Sequence, residues 1–181
     1  MTEKLTITEA LAELKTIDKR LEKKREFIKG YIARQDIVKD PLEKDGGSVT
    51  AIARERQSMR DLEERKLAIR RAIAAKNMHV SIALSGQTRT IADWLVWRRE
   101  VAPQRQGFLG GLRAAVQGVR EQTVRKGGQV VDSGQGSGSA QDVVVNISEL
   151  ELAQDIEALE EALGNLDGQL SLKNATTIVE F

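Results

Sequence analysis

The chain has 181 residues, of which 40% are hydrophobic, 30% are charged and only 3% are aromatic. It has no cysteine and one histidine, which excludes disulfides, a thiolate nucleophile and zinc sites with sulfur ligands. The net charge is +1, but basic and acidic residues are distributed unevenly along the chain. Residues 46–127 hold 16 basic and 7 acidic side chains, and residues 128–181 hold 1 basic and 10 acidic side chains. Such a chain can neutralise itself, join copies head to tail, or present a basic face to an acidic partner.

Residues 1–77 predict a long antiparallel helical hairpin of coiled-coil character. Thr6 and Glu9 have the spacing of a capping box, and a heptad seam follows with one polar lapse, at Lys24. This first helix is expected to end near Gln35. A second helix, with Ser48 as its expected N-cap, repeats the spacing through residue 73 with a lapse at Lys66.

Residues 78–126 predict a short strand followed by a third helix. Val80–Leu84 alternates large apolar residues with small ones, and the next residues, Ser85–Gln87, indicate a turn. Thr90 begins another Thr-x-x-acid cap. Pro103 lies too far inside the helix for a first-turn proline, so it either kinks or splits it. Four glycines lower the helix propensity of this segment or allow another backbone segment to approach closely. They are Gly107, Gly110, Gly111 and Gly118.

The last part of the chain predicts a linker and a small acidic element. Residues 127–141 are rich in Gly and Ser and are expected to form a linker or an extended loop. Residues 142–181 predict a strand at 142–147, which could pair with residues 80–84, then an acidic helix capped by Ser148 and a strand near 176–181. The chain is therefore expected to be one mainly α domain, a helical bundle with a small β element of short strands at the helix ends.

Three short motifs resemble those of the septicolysin-like family of small helical proteins, whose cellular role is poorly defined. They are the opening Glu9–Leu14, the strand-to-helix junction Thr88–Asp93, and the ending from Leu170 to Thr177. The resemblance implies the same order of elements over most of the chain, and its family name implies a membrane-active protein. The absence of cysteine removes any thiol-dependent lytic activity. No functional residue is carried over, because the motifs are seams and caps.

Catalytic and cofactor patterns are missing from the sequence. His79 is the only histidine, so it has neither the ligands for an ordinary zinc site nor an evident orienting acid, and a turn residue is the simpler interpretation. The glycine-containing stretches lack the phosphate-loop pattern. We therefore expect a protein that is not an enzyme and that uses no cofactor or metal.

Two sets of residues are candidates for binding. The basic residues on the third helix could contact nucleic acid, although pairing with the acidic last helix is the favoured interpretation; they are Arg98, Arg99, Arg105, Arg113 and Arg120. The second set consists of apolar residues that could form an interface, with the two tryptophans equally able to be core residues. They are Trp94, Trp97, Phe108, Val143, Val145, Ile178 and Phe181.

These patterns favour a non-enzymatic structural protein that oligomerises or docks on other proteins of a larger assembly. The long narrow seams, the separated charge and the exposed strand edges all motivate this expectation, and a phage virion component (capsid, connector or tail) would fit it. One alternative is a nucleic-acid-associated protein that uses the basic face of helices two and three. Another is a membrane-active septicolysin-like protein. With no signal peptide or apolar run of ~20 residues, a cytoplasmic or virion location without a membrane span is expected.

Overall fold

The structure, a computed structural model, describes residues 3–131 and 140–181 and confirms the mainly α fold. The centre of the predicted linker, residues 132–139, lies outside the described residues. The helices are α1 (Ile7–Gly30), α2 (Gly47–His79), α3 (Ile91–Val96), α4 (Ala102–Arg125) and α5 (Glu149–Thr176). The strands are β1 (Lys4–Thr6), β2 (Ser81–Leu84), β3 (Gln87–Thr90), β4 (Val130–Val131), β5 (Val143–Val144) and β6 (Ile178–Glu180).

The chain divides into two compact units. The first unit is built from two separate stretches, residues 1–80 and 171–181, and the second unit is the intervening stretch, residues 81–170. Helices α1 and α2 with strands β1 and β6 belong to the first unit. Helices α3 and α4 and most of α5 belong to the second.

The first unit is the predicted antiparallel hairpin. Thr6 caps α1 through the predicted capping box: its hydroxyl accepts from the Glu9 amide at 3.2 Å, and the Glu9 carboxylate accepts from the Thr6 amide at 2.8 Å. The Glu9 carboxylate also accepts from the Thr6 hydroxyl at 2.9 Å. Both bonds to the carboxylate stabilise its ionised form and lower the pKa of Glu9, and the bond from the Thr6 amide has the larger effect. The buried seam residues of α1 and α2 form one core with Val179 of β6; they are Ile7, Ala10, Leu14, Ile17, Leu21, Ile69 and Ile73.

One arginine connects several elements of the first unit. Arg65 of α2 donates to Glu13 of α1 through Nε and to Glu3 through Nη2, the latter at 2.7 Å. Its guanidinium also lies 5.5 Å from the centre of the Phe181 ring. These hydrogen bonds raise the pKa of Arg65 above its usual value, and the bond to Glu13 has the largest effect.

The connection between α1 and α2 differs from the prediction at both ends. Helix α1 ends at Gly30, earlier than the expected Gln35, and Ser48 lies in the first turn of α2 rather than at its N-cap. At the start of α2, Ser48 bonds to Asp40 instead of capping the helix: the Asp40 carboxylate accepts from the Ser48 amide at 2.7 Å and from its hydroxyl at 2.5 Å. These bonds lower the pKa of Asp40. The bond from the Ser48 hydroxyl has the largest effect, and the bonds from backbone amides have smaller ones. The N-cap position is taken by Gly46, whose φ of +93° suits glycine.

The strands form three separate ribbons, and their partners differ from the prediction. Strand β2 pairs with β3 in an antiparallel hairpin, not with residues 142–147. Its turn is the predicted one: Ser85 and Gly86 both have positive φ, as a two-residue hairpin turn of this hand requires. Strand β5 pairs in parallel with β4, which lies inside the predicted linker 127–141, so that end of the linker is structured. The predicted C-terminal strand exists as β6 and pairs antiparallel with β1.

Pro103 does not split the third helix. Helices α3 and α4 are joined by a turn of π-helix, Trp97–Val101, and the amide of Ala102 donates to the carbonyl of Trp97 five residues earlier. A proline ring inside an ordinary helix clashes with the carbonyl four residues back, and this wider turn relieves that clash. The helical backbone therefore continues from residue 91 to residue 125.

Candidate interaction surface

Helices α4 and α5 form an antiparallel pair, and ion pairs between exposed side chains connect them. As the arginine numbers rise along the π-turn and α4, the numbers of their acidic partners on α5 fall, which defines the antiparallel direction. The pairs are Arg98–Asp167 at 3.0 Å, Arg105–Asp155 at 3.8 Å, and Arg120–Glu149. Three of the five predicted basic-face residues therefore have acidic partners on the last helix, which is the arrangement that the favoured interpretation expects for them.

The other two basic-face residues differ. Arg99 pairs at 2.7 Å with its neighbour Glu100, and both side chains are exposed. Arg113 is exposed and, among the described residues, has no carboxylate within ion-pair distance. Arg113 is therefore the member of the predicted set with an unused charge.

The core between these two helices is small and aliphatic. Ala102 and Leu109 of α4 pack with Leu152 and Leu159 of α5, all four buried. Half-buried apolar residues extend this cluster on both sides; they are Trp97, Leu112, Ile156 and Leu163. The heptad spacing of α5 therefore predicted its buried face.

The two tryptophans lie in and beside the core rather than on the surface. Trp94 is 4% exposed, and its indole N–H donates to the carbonyl of Ile82 at 3.0 Å. Trp97 is half-buried and meets Trp94 edge to face, with ring centres 5.5 Å apart. This placement favours the core-packing interpretation of both residues and leaves Trp94 with almost no surface for a partner to contact.

The remaining predicted interface residues are exposed to different degrees. Phe108 on α4 is 65% exposed, and Ile178 on β6 is 51% exposed. Val143 is exposed, whereas Val145 is half-buried. Phe181 is also half-buried because it packs on the core of the first unit. Phe108 is thus the member of this set that is best placed to meet a partner.

A groove of about 720 Å³ runs between α4 and α5. Buried Val116 and Leu152, with half-buried Ile156, supply its apolar floor. Its α4 wall carries Gly110, Arg113, Ala114 and Gln117, and its α5 wall carries Glu149, Ala153, Glu157 and Glu160. The arrangement offers an apolar strip between a wall with one arginine and a wall with three glutamates.

The helix glycines have open space around them within the described residues. A methyl group built on each would meet no other part of the structure within 4 Å, at Gly107, Gly110, Gly111, Gly118, Gly164 and Gly168. Close packing inside the described chain therefore does not explain these glycines. Gly128 is the opposite case, since a methyl group there would lie 1.9 Å from the carbonyl oxygen of Gln141.

The described residues contain neither a metal-binding cluster nor a membrane-spanning helix. Across residues 3–131 and 140–181, no group of three His, Asp or Glu side chains is placed to hold a metal ion. In that part of the chain, no helix has both the length and the apolarity to span a bilayer.

Comparison with known proteins supports the fold and assigns no role. A solved structure described as a functionally unknown conserved protein from Corynebacterium diphtheriae has the same mainly α fold, with a TM-score of 0.57. The sequences are 14% identical, and the match covers 98% of this chain and 99% of that one. No family model and no curated protein matches the chain. The resemblance to the septicolysin-like family stays a prediction.

Proposed function

We propose that this chain is a non-enzymatic structural protein, a helical component that oligomerises or docks on other proteins of a larger assembly. The observation that carries the proposal is the uncovered surface of α4 and α5. The groove between the two helices is open and partly apolar, and exposed apolar side chains lie on both helices: Phe108 is 65% exposed, Val124 is 71% exposed and Leu150 is 70% exposed. An apolar-lined surface that is rimmed by polar residues is typical of a binding surface.

The glycines of α4 support the same proposal. Each costs the helix roughly 0.5–1 kcal/mol relative to alanine, and within the described residues nothing approaches them. A partner that packs closely on α4 would give these small residues a structural reason. We extend the proposal to a phage virion (capsid, connector or tail) as the assembly, an extension motivated by the cysteine-free, helix-rich composition.

Light scattering coupled to size-exclusion chromatography tests the general proposal. At low salt we expect a defined mass that is a multiple of the 20.0 kDa chain, and at high salt a shift toward smaller species, because exposed charges are screened. A monomer at both salt concentrations and at every protein concentration would count against self-assembly. The virion setting is tested separately, by mass spectrometry of virus particles purified from the source organism.

Nucleic-acid binding is the second candidate, and it now rests on α2. Arg54, Arg56, Arg70 and Arg71 are exposed and have no carboxylate within ion-pair distance among the described residues. Fluorescence anisotropy with labelled duplex DNA and RNA tests this candidate, since phosphate contacts give affinities that fall steeply with salt. No binding at low salt, or binding that is unchanged in an Arg54→Gln/Arg70→Gln variant, removes it.

A further inference from the structure

We infer that copies of this chain associate head to tail, with the outer face of α2 in one copy packed on the outer face of α5 in the next. The outer face of a helix is here the exposed side that lies opposite its buried seam. The inference rests on the proposed function, because it names the two surfaces through which the copies join. Two properties of these faces support it: their residues match in spacing, and their central charges are opposite.

The outer face of α2 carries a stripe of exposed residues at alternating four- and three-residue steps. Its members are Val49, Ala53, Arg56, Arg60, Glu63 and Leu67. Such steps keep residues on one side of a helix, and this side lies opposite the buried Ile69 and Ile73. Val49 is 83% exposed and Leu67 is 50% exposed. The stripe is therefore apolar at each end and carries two arginines between its ends.

The outer face of α5 carries a stripe with the same steps, opposite the buried Leu159 and Leu166. All of its members are exposed; they are Leu150, Gln154, Glu157, Glu161, Gly164 and Gly168. Leu150 is 70% exposed, and Leu172, one turn beyond the stripe, is 57% exposed. Both stripes extend for about 27 Å at 1.5 Å per residue. The second stripe thus repeats the first with glutamates in place of the arginines.

The central charges of the two stripes are not used inside one copy. Across residues 3–131 and 140–181, no oppositely charged group lies within ion-pair distance of Arg56, Arg60, Glu157 or Glu161. Arg60 instead donates to the uncharged side chain of Gln57 at 3.1 Å. Two arginines and two glutamates at equal spacing are therefore available to a second copy, and opposite charges on facing surfaces set partner choice and register.

The two stripes match when their ends lie level. With the helices parallel, Arg56 lies level with Glu157 and Arg60 lies level with Glu161. With the helices antiparallel, each arginine lies level with the other glutamate, because the steps read the same from both ends. In both directions an exposed apolar residue of α2 lies level with Leu150.

The opposite end of the α5 stripe is small. A methyl group at Gly164 or Gly168 would meet nothing within 4 Å beyond its own helix. In both directions an apolar residue of α2 lies level with Gly168, and small residues at such a contact let two helices approach closely.

Other registers lose the match. A shift by one heptad, in either helix direction, places Glu63 level with a glutamate of α5 or leaves both arginines level with uncharged residues. Like charges at facing positions destabilise a contact between helices, so the charges select the register with level ends.

The contact uses two different surfaces of each copy. A copy that is engaged through α2 still presents its α5 face, so further copies can add. Contacts of this kind produce closed rings or open chains.

Charge reversal tests the inference by light scattering and sedimentation velocity at low salt, where wild-type protein is expected at a multiple of the 20.0 kDa chain. Arg56→Glu/Arg60→Glu and Glu157→Arg/Glu161→Arg are each expected to weaken association about 10-fold or more, because like charges then face each other. The variant with all four substitutions has the wild-type net charge and is expected to regain the wild-type mass, since every facing pair is again opposite in sign.

A matched control is available two residues before Arg56. Arg54 is also exposed and without an ion-pair partner among the described residues, but it lies about 160° around the helix from Arg56. Arg56→Glu alone is expected to weaken association, and Arg54→Glu, with the same change of charge, is expected to leave it unchanged. Circular dichroism confirms that each variant is folded.

Cross-linking between single-cysteine variants determines the helix direction, and the cysteine-free chain makes the readout specific. A short bismaleimide is added to Leu150→Cys mixed with Val49→Cys, or with Leu67→Cys. A covalent dimer that forms only in the first mixture indicates parallel helices, and one that forms only in the second indicates antiparallel helices. Each variant alone is the control.

The failures are distinguishable. A wild-type oligomer whose mass neither double reversal changes overturns the head-to-tail inference and leaves assembly standing. A four-substitution variant that stays dissociated, or the absence of a specific cross-link in both mixtures, also overturns the inference. A wild-type monomer at all concentrations overturns both the inference and self-assembly.

Discussion

Replacing Gly111 and Gly168 together by alanine is expected to make the protein more stable. Both glycines lie inside helices, α4 and α5, and neither lines the groove. Beyond the neighbouring backbone of its own helix, a methyl group at either position meets no atom within 4 Å, so the substitution adds no clash. It removes the extra backbone freedom that glycine has in the unfolded chain, and it improves helix propensity.

The expected gain is about 0.5–1 kcal/mol per site, or about 1–2 kcal/mol for the pair. In a chain of this length each kcal/mol raises the melting temperature by about 2–4 °C, so the double variant should melt roughly 2–8 °C higher. Thermal unfolding followed by circular dichroism at 222 nm, at low protein concentration, measures this difference. Each single variant is measured as well, since two distant sites should contribute additively.

Gly128→Ala is the matched control, because no gain in melting temperature is expected from it. A methyl group there would lie 1.9 Å from the Gln141 carbonyl oxygen and 2.6 Å from its carbon, both backbone atoms. We therefore expect the contact between the segments carrying β4 and β5 to be lost and the melting temperature to fall or stay level. If the Gly111/Gly168 variant melts at or below the wild-type temperature, the helix faces are not open and the reasoning is refuted.

Two more predictions concern buried and capping groups. Trp94→Phe removes the indole hydrogen bond to Ile82 and part of a buried ring, so we expect a loss of about 1–3 kcal/mol in the free energy of unfolding by urea titration; an unchanged midpoint would contradict this. Thr6→Ala is expected to cost about 1 kcal/mol. Because the folded-state pKa of Glu9 is lowered, its stabilising effect is present above the unfolded pKa and is lost as the pH falls through the folded value. The difference between wild type and Thr6→Ala should therefore shrink in acid, and a difference that is constant from neutral pH to pH 2 would argue against the capping role.

Much of the helical architecture could be predicted from apolar spacing and caps. Two lysines interrupt the apolar seam of the hairpin, and the structure gives each of them an acidic partner. Lys24 pairs with Glu55 at 2.6 Å and Lys66 pairs with Asp18 at 2.6 Å, so both lysines face acids on the opposite helix. A polar residue in a seam is compatible with packing when the partner helix supplies its counter-charge, and only the register of the two helices reveals that partner.

The strand partners could not be predicted, for a different reason. Strands of two to four residues carry too little pattern to select a partner, and β1 and β6 pair across almost the whole length of the chain. The π-turn before Pro103 could not be predicted either. The sequence shows that a proline lies inside the third helix, but it does not show which backbone geometry accommodates the proline ring. For the candidate surface, the sequence identified Arg113 and Phe108, while the groove itself depends on how α4 and α5 pair.

The division of the chain into units has a consequence for its synthesis on the ribosome. The first unit needs residues from both ends: Val179 of β6 is fully buried in the core built by α1 and α2. During translation the α1–α2 hairpin emerges early, yet the space for that side chain stays unfilled until some 100 further residues have been made, at a pace of about 5–20 residues per second. The inserted unit also needs residues up to 170, including the buried Leu152 and Leu159 of α5, so neither unit can complete its core until the last part of the chain has been made.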